Sequence, residues 1–140
     1  MHRSFTATLF VLCAMAFASP GFAAENMTPK DAWAKMQTGE LVLVDVRRPA
    51  EWRSTGLAPG AIPLTMGGDA FYAELERIAS ANPGKTLALI CAAGGRSTMA
   101  AIELEKRGLS DVVDVKAGML GGMLSSGWLD EGLPVEAWKE

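Results

Sequence analysis

The sequence predicts an α/β domain built on a central parallel sheet with helices on both faces. Three observations carry this prediction. Leu41-Val42-Leu43-Val44 and Leu87-Ala88-Leu89-Ile90 are unbroken apolar runs, the pattern of strands covered on both sides. Between them, Ala70–Ser80 places Phe71, Leu75 and Ile78 at helical spacing, and helix and strand signals alternate along the chain, as consecutive βα units require. The 140 residues, 49% of them hydrophobic, suffice for one domain with its own core. No internal repeat is visible.

Residues 1–23 read as a signal peptide and residues 24–140 as the domain. His2 and Arg3 give a short basic start, and Phe5–Ala18 is an apolar run of h-region length, too short to span a bilayer comfortably. Ser19-Pro20-Gly21-Phe22 breaks the run, and Gly21-Phe22-Ala23 offers a small-x-small cleavage site. The expectation is an exported protein, periplasmic or secreted, with no stable membrane insertion after cleavage. Cleavage removes Cys13 and the single histidine, His2, and leaves Cys91 as the lone cysteine. A Ser-His-Asp triad, a Cys-His pair, an imidazole metal site and an internal disulfide are then excluded. No metal and no cofactor are expected. An unpaired thiol in an exported chain reads as reactive or partner-bonding. Loss of Arg3, with no acid before Glu25, takes the net charge from −3 to −4, and no basic stripe suggests nucleic acid.

In order along the domain, Thr28-Pro29-Lys30-Asp31 reads as an N-cap, a first-turn proline and a first-turn acid, opening a helix that stops at Gly39. The strand Leu41–Val44 ends in Asp45-Val46-Arg47. Glu51 to Gly60 reads as a polar loop punctuated by glycine and proline, and Ala61–Leu64 as a short strand. The helix Ala70–Ser80 follows, then a turn at Asn82-Pro83-Gly84-Lys85. The strand Leu87–Ile90 runs into Cys91 and a loop of small residues, Ala92-Ala93-Gly94-Gly95. Arg96 closes that loop, and Ser97 begins a helix in which Met99, Ile102 and Leu104 read as the apolar face, ending at Gly108. Asp111–Val115 is a last strand, and Trp128 and Trp138 in the tail read as packing residues.

The Cys91 stretch carries the chemistry. A thiol at a strand end, facing backbone N–H groups at a helix N-terminus, makes a site for an anion. The same field favours thiolate over thiol. Strand ends at Asp45 and Cys91 fall on the same edge of a parallel sheet, where sites of such sheets form. Asp45, Arg47 and Glu51 are spaced to lock together beneath the Cys loop as a supporting ion-pair cluster.

At these residues the sequence resembles the rhodanese (sulfurtransferase) domain family. That family's active-site loop runs from a Cys to an Arg five residues later and continues with Ser or Thr; Cys91, Arg96 and Ser97 fall on those positions. The family's Asp-Val-Arg triplet matches Asp45, Val46 and Arg47, and its Glu-aromatic pair matches Glu51 and Trp52. Gly56, Pro59, Gly60, Ala61 and Ile62 match its following turn, while Leu57 and Ala58 depart from the usual His-Ile. The closing Gly-rich turn, a helix that the resemblance places around Trp128, and Gly132-Leu133-Pro134-Val135 complete a likeness over about residues 28–137. In Gly121–Ser126 the segment before the Trp is longer than usual and is expected to overhang the site.

The resemblance implies a rhodanese-like sheet of about five strands and sulfur transfer through a Cys91 persulfide. The N–H groups from Ala92, Ala93, Gly94, Gly95 and Arg96 to Ser97 would hold the anionic persulfide. Arg96 would shape the loop and add positive charge toward the donor. Partners are a small sulfur donor, a thiol or cyanide-like acceptor and, alternatively, a sulfur-carrier protein, the domain then acting as a persulfide relay. Phosphatases of the Cys-dependent type place Arg six residues after Cys, so the five-residue spacing here argues against a phosphate ring.

Overall fold

The computed structural model describes residues 24–140, so the signal-peptide reading of residues 1–23, with His2 and Cys13, lies outside the described part. Along the chain run β1 (Glu25–Asn26), α1 (Pro29–Gln37), β2 (Leu41–Asp45), α2 (Pro49–Thr55), β3 (Ile62–Pro63), α3 (Asp69–Ala81), β4 (Thr86–Ile90), α4 (Gly95–Lys106) and β5 (Val112–Asp114). The five strands form one parallel sheet in the order β1-β5-β4-β2-β3. The two continuous apolar runs are its paired centre, with Leu41 opposite Thr86 and Asp45 opposite Ile90.

Both faces of that centre are covered. Leu87, Leu89 and Cys91 join Phe71, Leu75 and Ile78 of α3 and Ala100, Ala101 and Leu104 of α4 in one core. Ala88 and Ile90 turn to the other face, against Ala32 of α1, Met119 and Trp128. The two-residue period of the strand thus delivers Cys91 to the α4 side. α1 begins as the sequence indicates: the Thr28 hydroxyl accepts from the Asp31 N–H at 3.1 Å, and Pro29 stands in the first turn.

Four sequence-based expectations need correction. Pro49–Thr55 is a helix, not part of a polar loop. Pro49 starts it, and the Glu51 carboxylate accepts from the Arg48 N–H at 3.0 Å, half of a capping box. α4 begins at Gly95, so Arg96 lies inside its first turn rather than closing the loop. Its buried face is Ser97, Ala100, Ala101 and Leu104, while Met99 is 64% exposed; small residues let the helix lie close on the sheet next to the Cys loop. The tail around Trp128 forms turns instead of a helix. Trp128 is fully buried and donates its indole N–H to the Pro134 carbonyl at 2.9 Å, and Trp138 packs edge-on to Trp52.

Candidate active site

β4 ends at Ile90 and α4 starts at Gly95, so Cys91 to Gly94 bridge a strand end and a helix N-terminus on the edge of the sheet where Asp45 also ends its strand. The turn needs Gly94 at φ +92°, and a Cβ there would sit 2.1 Å from the Lys116 carbonyl oxygen. Cys91 is buried, 1% exposed. Its Sγ accepts from the Gly94 N–H at 3.1 Å and lies 3.4 Å from the Ser97 hydroxyl oxygen. The N–H groups of Ala92, Ala93, Gly95, Arg96 and Ser97 meet no protein acceptor among the described residues. Those of the first helical turn have none by the nature of a helix start. The outcome is a run of unpaired N–H donors in the loop and helix start that follow Cys91.

The tail fixes the loop from below. Met119 donates its N–H to the Cys91 carbonyl at 2.9 Å and Leu120 to the Ala92 carbonyl at 2.8 Å. Gly118, at φ +66°, passes so close that a Cβ would lie 2.4 Å from the Ala92 oxygen. With the loop carbonyls held from this side, its N–H groups are free to turn to the other.

The structure separates the three residues expected to form one cluster. Asp45 and Arg47 pair in the interior, both side chains 1% exposed, through contacts of 2.7–3.0 Å. The Arg47 guanidinium fills its remaining reach with the Thr55 hydroxyl at 2.7 Å and the Gly56 carbonyl at 2.8 Å. It thereby ties the end of α2 to the end of β2 and makes no hydrogen bond to Glu51. α2 carries Glu51 to Arg96, which it holds in a two-pronged pair, Nη1 to Oε2 at 2.8 Å and Nη2 to Oε1 at 2.7 Å. The hydrogen bonds from Arg96 are the main reason that Glu51 titrates at about 2 rather than 4.5; burial opposes them, while the Arg48 N–H and the charges of Arg96 and Arg47 add to them. Glu51 in turn raises Arg96 above its ordinary value against the effect of burial, with smaller contributions from the charges of Cys91 and Asp45. The expectation that Arg96 offers a free cation to a donor is therefore corrected: its planar face is already matched to a carboxylate, and it braces α2 against α4.

Sequence reasoning missed two features here. The exposed Lys116 runs its stem beside Gly94, a cation next to the loop that follows β5 and carries no local signal of its place. Asp114 and Thr98 form a hydrogen-bonded pair behind the loop. The Gly121–Ser126 segment folds back on itself through a Gly122–Ser125 bridge, with Met123 and Leu124 fully exposed at its tip. Leu124, Ser125 and Ser126 line a groove of about 660 Å³ together with Ala93 and Lys116.

The family model for the Rhodanese-like domain matches residues 28–123. The chain belongs to the rhodanese-like domain family. Solved structures place the fold in the same group. The polysulfide-sulfur transferase homodimer from Wolinella succinogenes is 25% identical with a TM-score of 0.63, over 81% of this chain and 78% of that one. Rv0390 from M. tuberculosis is 26% identical with a TM-score of 0.66, over 83% and 99%. A protein of unknown function and possible tyrosine phosphatase from Rhodopseudomonas palustris is 31% identical with a TM-score of 0.59, over 81% and 85%. No curated protein sequence matches the chain.

Proposed function

We propose that this rhodanese-family protein moves a sulfane sulfur from thiosulfate, polysulfide or a protein persulfide to a thiophilic acceptor through a Cys91 persulfide. The observation that carries the reading is the buried Cys91 sulfur, 3.1 Å from the Gly94 N–H, in a loop whose other N–H groups, at the start of α4, meet no protein acceptor among the described residues. The Cys91 thiolate attacks the outer sulfur of the donor. A new S–S bond forms, the donor's own S–S bond breaks, and sulfite, a shortened polysulfide or the donor protein's thiolate leaves with the electron pair. The persulfide anion then sits among the loop N–H groups. A thiol or cyanide attacks its outer sulfur, and the Cys91 thiolate is regenerated with no net oxidation. This is double displacement through a covalent intermediate. The relationship to a polysulfide-sulfur transferase supports polysulfide among the donors, and the five-residue spacing from Cys91 to Arg96 argues against a phosphatase reaction. Steady-state formation of thiocyanate from thiosulfate and cyanide tests the scheme. Parallel double-reciprocal lines are expected; intersecting lines would exclude a covalent sulfur intermediate.

A second reading, a persulfide relay that docks a partner protein, is favoured by the pairing of Arg96 with Glu51 and by the exposed apolar tip at Met123 and Leu124 beside the groove. A small dianion then finds no free charge on Arg96 and only Lys116 beside the loop, and its Michaelis constant is expected near or above the millimolar end of the enzyme range. Saturation by thiosulfate at micromolar levels would remove this reading. The setting we propose is the cell envelope or exterior, with a mature N-terminus at Ala24 or Glu25; N-terminal sequencing that finds Met1 would reject it.

A further inference from the structure

We infer that the groove between the Cys91 loop and the Gly122–Ser125 hairpin docks a partner polypeptide that presents a cysteine flanked by an acidic residue and an apolar one. Lys116 meets the acid and Leu124 the apolar side chain. What passes between that cysteine and Cys91 rests on the sulfur-transfer reading; the docking does not.

The hairpin departs from ordinary turn chemistry. Gly122 and Ser125 exchange backbone hydrogen bonds, the Gly122 N–H donating at 2.9 Å and the Ser125 N–H at 3.4 Å, so Met123 and Leu124 are the two turn residues. Turns of this length draw glycine, asparagine and aspartate. Here both positions are large, apolar and fully exposed, so neither contributes to the core. The neck below them is tightly built. A Cβ on Gly127 would lie 2.1 Å from the Gly121 nitrogen, and the Asp130 carboxylate accepts from the Gly127 N–H at 3.0 Å. A fixed projection thus carries two apolar side chains into water, an arrangement stabilised by whatever covers it.

The groove beside the tip indicates the occupant. Met27, Pro29, Ala93, Ala117 and Leu124 give it mostly apolar walls, and its volume of about 660 Å³ has room for several side chains. Two charged residues line it. Glu131 is matched by Lys30 at 2.5 Å. Lys116 is exposed and forms no ion pair among the described residues; the buried Asp114 feels its charge but does not pair with it. One unmatched cation in an apolar groove is the complement of a carboxylate among apolar side chains. The Lys116 Cγ lies 3.3 Å from where a Cβ on Gly94 would stand, so its stem starts beside the Cys91 loop. A carboxylate on Lys116 therefore belongs to a residue next to the reacting cysteine, and the side chain against Leu124 to one further along. A small thiol would leave Met123, which does not line the groove, uncovered; a chain segment reaches it. An anionic lipid surface fits poorly, since the chain carries a net charge of −3.

In the docked complex the partner's thiolate attacks the outer sulfur of the Cys91 persulfide. The bond from that sulfur to Cys91 Sγ breaks, Cys91 leaves as thiolate, and the partner carries the persulfide with no net oxidation.

The test uses the purified protein and a fluorescent short peptide whose central cysteine has glutamate before it and leucine after it. Anisotropy on Cys91→Ser measures docking without reaction. In that background Leu124→Ser should weaken binding about tenfold, the scale of one lost leucine contact. Lys116→Glu should weaken it about fivefold, the scale of one exposed ion pair, and a peptide with lysine in place of glutamate should restore most of that loss. Both variants should melt as their parent does, since the side chains changed are exposed. Unchanged binding by Leu124→Ser, or a lysine peptide that Lys116→Glu binds no better than the glutamate peptide, would overturn the inference. So would a dimer in sedimentation velocity that Leu124→Ser dissolves, binding to phosphatidylglycerol vesicles that Leu124→Ser abolishes, or an equal loss in Leu124→Ser with mercaptopropionate as acceptor; these assign the groove to a second copy, a membrane or a small thiol. The expected binding, with no sulfur passing from polysulfide-treated wild type to the peptide, would reject the transferase reading and keep the docking site. Sulfur transfer to the peptide that Leu124→Ser does not slow would keep the transferase reading and reject the docking site.

Discussion

Replacing Glu51 by Gln tests whether the pair between α2 and α4 works through charge. Glu51 titrates near 4.5 when unfolded and at about 2 in the fold. A carboxylate lowered in this way contributes stability that is present above about pH 4.5 and is lost as pH falls through about 2. At ~1.36 kcal/mol per pH unit the ceiling is ~3.4 kcal/mol. The Arg96 and Glu51 side chains are 33% and 31% exposed, so solvent screening reduces this to about 1–2 kcal/mol. Thermal unfolding followed by circular dichroism at neutral pH should show Glu51→Gln melting roughly 4–8 °C below wild type, for a domain of this size. The gap should shrink as the buffer is acidified from about pH 4.5 toward 2. An equal gap across that range would mean that packing, not charge, holds the pair. No gap at neutral pH would mean that the pair stabilises nothing.

The same geometry carries further expectations. Arg96→Ala should lower sulfur loading of Cys91 by roughly 10²-fold through a slackened loop, and Arg96→Lys should recover only part, because an ammonium cannot match both oxygens of Glu51; full recovery by Lys, read in the same loading assay, would refute the bracing role. Gly94→Ala forces a side chain at φ +92° against the Lys116 carbonyl and should destabilise the fold by about 2–4 kcal/mol in urea unfolding; an unchanged midpoint would show that the loop is not so tightly held. Lys116→Gln should raise the Michaelis constant for thiosulfate and weaken its dependence on salt, and unaltered kinetics would place the donor away from Gly94.

Much of the fold was legible because its centre is simple. Leu41–Val44 and Leu87–Ile90 carry their burial in composition, and the structure pairs them, Val42 with Leu87, Leu43 with Ala88 and Val44 with Leu89. α2 escaped because its seven residues bury a single side chain, Trp52, so no apolar period marks it; the start signals at Pro49 and Glu51 were present but outweighed by the polar run. β1, two residues long at the sheet edge, has no pattern to read. In α4 the large apolar Met99 points outward while Ala100 and Ala101 meet the sheet, since close approach of a helix to a sheet favours small side chains that hydropathy underrates. The loop from Cys91 to Ser97 could be read because its parts are contiguous. The partner of Arg96 could not, because Glu51 stands 45 residues away and Arg47 offered itself as the nearer choice. Asp114 and Thr98 meet only through the β4–β5 pairing, which local sequence does not display.

The most direct measurement of the central claim is the intact mass of the protein after incubation with thiosulfate, mercaptopyruvate or polysulfide. The account predicts a gain of one sulfur atom, mapped to Cys91, absent in Cys91→Ser and reversed by cyanide or a thiol. A protein that gains no sulfur from any of the three donors, while its Cys91 still reacts with iodoacetamide, would contradict it.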